Sequence, residues 1–189
     1  MLTEAKLVRQ AQSGDATAFL LLYQRYRKGI CGFAHRLLGS QAAAEDVTHD
    51  CFAAVIASFQ RFNPDRASLK TYLYAMARNL IRKHLRDPDN ESSEEIPEDL
   101  ATQAGPLDRL LDSELCDIVR TAIGRLPPLQ REVLVLCEYE DLPLAEIAAI
   151  VDADLGTVKA RLHRARSNLK RILAPYLNGD RDSQLVEDR

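Results

Sequence analysis

The fold class follows from residues 143–166, which read PLAEIAAIVDADLGTVKARLHRAR. Apolar residues recur every three or four positions on both sides of residues 152–154, which is the spacing of amphipathic helices. Two such helices joined by a three-residue turn are typical of a helix-turn-helix. We expect Asp152 to adopt the left-handed backbone of the turn and Asp154 to cap the second helix. The predicted inner faces comprise Ile147, Ala148, Val151, Val158, Leu162, Ala165, Leu169 and Leu173.

The second of these helices carries a basic face opposite its apolar stripe. Residues 155–174 contain six Lys or Arg and no acid. A solvated helix usually mixes both signs of charge, whereas a purely basic face suits DNA phosphates, and an arginine that reaches a guanine edge reads sequence. The sequence therefore predicts a DNA-reading helix. Its candidate contact residues are Thr157, Lys159, Arg161, His163, Arg164 and Arg166.

The distribution of charge divides the 189-residue chain into segments. Residues 1–86 carry 13 Lys or Arg against 6 Asp or Glu, whereas residues 87–106 carry seven acids, three prolines and no base. An acidic, proline-containing segment with little apolar content is typical of a linker. Both flanking segments show helical periodicity. The sequence therefore predicts an all-α protein of two small helical domains, 1–86 and 107–177, joined by an acidic flexible linker (87–106) and followed by a frayed tail (178–189).

Two stretches of the first domain have distinctive surfaces. Residues 44–52, AEDVTHDCF, combine acids with the apolar stripe of a helix, and that stripe includes Phe52. Residues 69–86 interleave tyrosines with bases, a combination that suits single-stranded DNA because bases stack on rings and phosphates pair with cations. Of the tyrosines, we expect Tyr74 to lie in the core.

Taken in order, AEDVTHDCF, TYLYAMARN, the acidic segment, LPPLQREVLVL and the helix-turn-helix resemble the bacterial sigma-70 family. The two-domain layout resembles its extracytoplasmic-function (ECF, group IV) members. The resemblance implies docking on the β′ clamp coiled coil of RNA polymerase core by Asp46, His49, Asp50 and Phe52. It implies reading and melting of the promoter minus-ten element by Lys70, Tyr72, Arg78, Asn79, Arg82 and Lys83.

The same resemblance implies further partners. The helix-turn-helix would read the minus-thirty-five element of promoter DNA near the β flap, the linker would thread the polymerase cleft, and an anti-sigma factor would hold the free protein. The chain departs from the family pattern at four positions. These are Tyr72 in place of Trp, His49 in place of Gln, Asp152 in place of Gly and Pro143 in place of Ser.

Other classes of function find little support in the sequence. The longest apolar run, residues 18–23, is far shorter than the roughly 20 residues of a membrane span, so we expect a cytoplasmic protein without membrane insertion. No catalytic motif is present, and we expect neither enzymatic activity nor a cofactor or metal, although Glu45, Asp46, His49 and Asp50 offer possible ligands. The alternative is a free-standing helix-turn-helix regulator, which would usually dimerise.

The four cysteines lie at unpaired spacings and are expected to be buried thiols: Cys31, Cys51, Cys116 and Cys137.

Overall fold

The structure, a computed structural model, describes residues 3–86 and 106–177, and every regular element within these ranges is a helix. The N-terminal helices are α1 (Glu4–Gln12), α2 (Ala16–Leu38), α3 (Gln41–Ser58), which continues into a 3-10 turn (Phe59–Arg61), and α4 (Leu69–His84). The C-terminal helices are α5 (Pro106–Gly124), α6 (Pro128–Glu138), α7 (Leu144–Val151) and α8 (Leu155–Leu177). The predicted all-α class is confirmed.

Short-range caps fix the ends of the N-terminal helices. The Asp15 side chain accepts hydrogen bonds from the first turn of α2, and Ser40 and Ser68 do the same for α3 and α4. Gly39 ends α2 with φ 75°, a left-handed conformation that costs glycine little because it has no Cβ.

The turn of the helix-turn-helix also forms as predicted. Asp152 has φ 51° and ψ 57°, which is left-handed backbone. Asp154 caps α8, since its Oδ1 accepts a hydrogen bond from the Thr157 amide at 2.8 Å and its Oδ2 accepts one from the Thr157 hydroxyl at 2.5 Å. These bonds hold the pKa of Asp154 below its ordinary value. Pro143, before α7, provides no side-chain cap.

We expect Asp152→Gly to stabilise the C-terminal domain by about 0.5 kcal/mol, because relief of left-handed strain outweighs the greater backbone entropy of glycine in the unfolded chain. Thermal unfolding followed by circular dichroism would measure the effect. Asp152→Asn is the matched control, since asparagine also tolerates this conformation. A melting temperature of the glycine variant no higher than that of the wild type would contradict this expectation.

The hydrophobic core runs through both halves of the described chain. In the N-terminal half, the Phe33 and Tyr74 rings meet edge to face with centroids 5.3 Å apart, and Tyr74 is 1% exposed, which confirms its predicted place in the core. The predicted inner faces of the helix-turn-helix are also confirmed, except for Leu173, which is half-buried and is not among the residues packed on the core. The buried members are Ile147, Val151, Val158, Leu162 and Ala165, and Ala148 and Leu169 pack against them.

The two halves are in direct contact, because α4 packs against α7 and α2 packs against α6. Helix α5 begins at Pro106, the last residue of the predicted linker. A proline fits the first turn of a helix, where its missing N–H is not needed. The rest of the predicted linker and the predicted tail, 178–189, lie outside the described residues.

The cysteines differ in exposure. Cys51 is buried, and burial raises the pKa of its thiol to about 12. Cys31 and Cys137 are half-buried. The prediction of a buried thiol is wrong for Cys116, which is exposed together with its neighbour Leu115. Within the described ranges, no helix combines the length and hydropathy needed to cross a bilayer.

Candidate nucleic-acid and polymerase interfaces

Helix α8 presents the basic face predicted from the sequence. Lys159, His163 and Arg164 are exposed and Arg161 is half-buried, while the apolar stripe of the same helix is buried beneath them. The half-buried Thr157 is held by the Asp154 cap. The first turns of α8 therefore offer a rigid, positively charged surface at a helix N-terminus, which favours anions.

Arg166 differs from the other predicted contacts because it already has a partner. Its Nε and Nη2 donate to Oε1 of Glu138 on α6, at 2.9 and 2.6 Å, and this pairing raises the pKa of Arg166. Both side chains are largely exposed, so the pair adds little stability. A phosphate that used the same N–H groups of Arg166 would have to displace Glu138.

The predicted polymerase-docking residues divide into a surface set and a core residue. Asp46, His49 and Asp50 are exposed, and their spacing places them on one face of α3. Phe52 is 5% exposed and packs edge-on against Tyr23, with ring centroids 4.8 Å apart. The structure therefore brings three of the four together on the surface, and Phe52 supports them from inside.

The predicted minus-ten residues on α4 divide in a similar way. Asn79, Arg82 and Lys83 are exposed on the last turns of α4. Tyr72 is half-buried, and its hydroxyl lies 2.8 Å from the Ser58 hydroxyl. Its ring packs on the Phe62 ring, with centroids 4.9 Å apart. Tyr72 is therefore held in the N-terminal core on one side and is accessible on the other.

Arg78 is turned away from solvent and into the C-terminal half. It is 5% exposed. Its Nε donates to Oε1 of Glu132 on α6 at 2.6 Å, and its Nη2 donates to the carbonyl of Val151, the last residue of α7, at 3.1 Å. One arginine of α4 thus contacts two helices of the C-terminal half.

Lys70 and Tyr74 make a second attachment to the same half. The Lys70 ammonium donates to the carbonyl of Glu140, and the Tyr74 hydroxyl donates to the Glu140 carboxylate. Burial raises the pKa of Glu140, although the Tyr74 hydroxyl, Arg36 and Lys70 act in the opposite direction. A Cβ at Gly29 would lie 2.5 Å from the Tyr74 hydroxyl and 3.2 Å from Glu140 Oε2, so only glycine allows α2 to approach this closely.

The carboxylates that meet α4 were not anticipated from the sequence. Besides Glu132 and Glu140 they include Glu146 on α7, whose Oε2 accepts hydrogen bonds from the hydroxyls of Ser68, at 2.9 Å, and Thr71. The one sequence feature that pointed to such a contact was Glu132, a charged residue at a buried position of the apolar stretch LPPLQREVLVL. Within the described ranges, no cluster of three His, Cys, Asp or Glu side chains forms a plausible metal site.

Comparison with known proteins identifies two family regions in this chain. Residues 22–91 match the model of sigma-70 region 2, and residues 116–169 match that of sigma-70 region 4. The RNA polymerase sigma-H factor of Pseudomonas aeruginosa is 32% identical over 185 residues, which cover 92% of this chain and 95% of that protein. The ECF RNA polymerase sigma-E factor of Haemophilus influenzae is 32% identical over 187 residues, which cover 93% and 98%.

Solved structures share the same arrangement of helices. CnrH, solved in complex with the cytosolic domain of CnrY, superposes with a TM-score of 0.68 at 26% identity and covers 94% of this chain and 97% of its own. The sigma factor RpoE of Bartonella quintana, solved in complex with the anti-sigma factor NepR, superposes with a TM-score of 0.66 at 25% identity, covering 82% and 94%. The chain therefore belongs to the sigma-70 family, as an RNA polymerase sigma factor of the extracytoplasmic-function type.

Proposed function

We propose that this sigma factor docks on core polymerase through the exposed acids of α3, reads the minus-ten element with α4 and reads the minus-thirty-five element with the first turns of α8. The observation that carries the proposal is that three different helices, α3, α4 and α8, each expose a charged surface. One is acidic and contains Asp46 and Asp50, and two are basic, near Arg82 and near Arg164.

The α4 surface suits a strand that has been opened. Asn79 offers an amide that both donates and accepts hydrogen bonds, and Arg82 and Lys83 offer charge to the backbone phosphates. Flipping a base out of the duplex costs a few kcal/mol, which contacts of this kind would offset. Tyr72 provides a ring near the start of the same helix.

The partners follow from this assignment. Asp46, His49 and Asp50 would meet the β′ clamp coiled coil, and the C-terminal half would lie near the β flap. The NepR complex of the Bartonella relative supports an anti-sigma factor as a further partner. In this role the protein works in the cytoplasm as a specificity subunit, with no catalytic step and no cofactor of its own.

Run-off transcription tests the proposal. Core polymerase, with and without the purified chain, would transcribe a library randomised upstream of a reporter segment. We expect transcripts only when the chain is present, from templates that share two short sequence blocks at a constant spacing. Templates that share one palindromic block, or transcripts that do not depend on the chain, would contradict the proposal.

We expect Arg161→Ala to weaken discrimination at the minus-thirty-five element by about 1–3 kcal/mol, the contribution of an arginine to a base edge. The measurement compares holoenzyme affinity for the selected promoter with its affinity for the same promoter carrying a scrambled minus-thirty-five block. Arg171→Ala, an exposed base later in α8, is the control. An equal loss of holoenzyme affinity for both templates would show that Arg161 contacts only phosphate.

A further inference from the structure

Tyr72, on the proposed reading helix α4, is held at two points in the free chain. Its hydroxyl lies 2.8 Å from the hydroxyl of Ser58, the last residue of α3. Its ring packs on the Phe62 ring, with centroids 4.9 Å apart and planes tilted by 41°. The side chain is only half-buried, so part of it remains accessible to a ligand. A ring fixed at its tip and along one side has little freedom to rotate.

The Phe62 ring is itself fixed by the helices behind it. Phe62 is buried and stacks on the Phe59 ring with an interplanar angle of 4°, and Phe59 meets Phe19 of α2 edge to face. The side-chain amide of Gln12, at the end of α1, donates to the carbonyls of Phe59 and Phe62 at 3.0 and 2.7 Å. Phe62 therefore cannot withdraw from Tyr72 without disturbing contacts that reach α1 and α2.

The hydrogen bonds of Ser58 also decide which way the Tyr72 proton points. A serine hydroxyl has one proton, and Ser58 donates it to the Ala54 carbonyl at 2.8 Å, since a carbonyl can only accept. Tyr72 must therefore donate its own proton to Ser58. A phosphate oxygen needs a donor, so the Tyr72 hydroxyl has no proton to offer to the DNA backbone while it is bound to Ser58. The ring is the part of Tyr72 that suits an opened strand, because bases stack on aromatic faces.

The Tyr72 ring lies on the same stripe of α4 as the exposed residues Asn79 and Lys83. These residues follow Tyr72 by seven and eleven positions, and a helix returns to one face at these spacings because each turn takes about 3.6 residues. A single strand along this stripe would meet a ring, an amide and a charge. A ring that is already oriented favours binding, because immobilising a free side chain at an interface opposes association.

We infer that Ser58 is a positioning residue for reading of the minus-ten element, because it holds the Tyr72 ring in the orientation that receives an unstacked base. This inference rests on the proposed function of α4. Ser58 lies on a different helix, 14 positions from Tyr72 in the chain, and it acts on DNA only through the ring. Tyr72 stands where the family pattern has Trp, so the hydroxyl that Ser58 holds is one that the family residue would lack.

Binding of the holoenzyme to a forked template tests the inference. The fork copies a promoter selected by run-off transcription and leaves the minus-ten block single-stranded, and a second fork has the same backbone but abasic sites throughout that block. Ser58→Ala removes the hydrogen bond to Tyr72, Ser58→Thr keeps a hydroxyl at the same place, and Tyr72→Phe keeps the ring. Thr48→Val is the matched control. Thr48 also donates to the carbonyl four positions earlier in α3, at 2.6 Å, but it lies about 15 Å from Ser58 along the helix axis.

We expect Ser58→Ala and Tyr72→Phe each to weaken binding to the fork that carries bases by about fivefold, the cost of ordering one side chain at an interface. The double variant should lose no more than either, since both changes remove the same hydrogen bond. Binding to the abasic fork should stay as in the wild type, because no base is present to stack on the ring. Ser58→Thr and Thr48→Val should bind both forks like the wild type.

Three results would overturn the inference. They are full affinity of a folded Ser58→Ala variant for the fork that carries bases, an equal loss on both forks, and additive losses in the double variant. Circular dichroism checks that each variant is helical, and Tyr72→Phe provides the same test if Ser58→Ala unfolds. If the wild-type holoenzyme itself bound the two forks equally, the proposed function of α4 would fail, separately from the role of Ser58.

Discussion

Charge reversal at both Asp46 and Asp50 is expected to weaken binding of the chain to core polymerase by about 100-fold or more. Both side chains are exposed on one face of α3, so Lys at these positions is compatible with the helix. A docking surface with two acids implies a basic partner surface, and placing like charges across an interface costs several kcal/mol, with each 1.4 kcal/mol worth a factor of ten. Surface plasmon resonance with immobilised core would measure the change.

Two controls separate docking from general charge effects. Asp65→Lys reverses an exposed acid in the loop before α4 and is compared with each single reversal on α3. Far-ultraviolet circular dichroism checks that the doubly reversed chain remains helical. Unchanged core affinity in a folded double variant would show that this face of α3 is not the docking surface.

Phe52→Ala is expected to destabilise the N-terminal half by about 3–5 kcal/mol, the usual cost of truncating a buried phenylalanine. The Phe52 ring is buried and lies against the Tyr23 ring, so the substitution leaves a cavity beneath the proposed docking face of α3. Urea unfolding followed by circular dichroism would give the free energy of unfolding. The fraction of chain that binds core polymerase should fall only in proportion to the fraction whose N-terminal half is unfolded.

Phe52→Leu distinguishes packing from contact. Leucine fills most of the same space, so we expect a loss of about 1 kcal/mol in stability and core affinity close to that of the wild type. If Phe52→Leu were stable and yet bound core much more weakly, Phe52 would contact polymerase directly, as the family resemblance implies. In that case α3 would have to rearrange on docking, since the Phe52 ring is enclosed in the free chain.

Features decided within a few residues could be predicted from the sequence. Gly39 and Asp154 end and begin helices through contacts with residues three or four positions away, and the left-handed Asp152 follows from the three-residue turn. The burial of Tyr74 follows from helical periodicity. Phe52 shows the limit of motif reasoning, because its place in the apolar stripe of α3 indicated burial while its place in a motif indicated a surface role.

Features that depend on how the two halves meet could not be predicted. Arg78 and Glu132 are 54 positions apart in the chain, and nothing local distinguishes Arg78 from the exposed Arg82. The contact arises only when α4 packs on α7, which also brings Glu146 to Thr71. Helical periodicity describes each half separately, so it assigns residues to the faces of α4 and α6 but does not show that the carboxylates of one half meet the other.

In the proposed function, one chain has two DNA-reading surfaces, on α4 and α8, which become effective together on core polymerase. The most direct test is an electrophoretic mobility shift at physiological salt, with a promoter selected by run-off transcription and a scrambled version of it. We predict that the free chain binds both weakly and equally, and that binding weakens further as salt is raised. The holoenzyme should prefer the promoter by about 1,000-fold or more. Tight binding of the free chain to a palindromic site, unchanged by core, would instead mark a free-standing regulator.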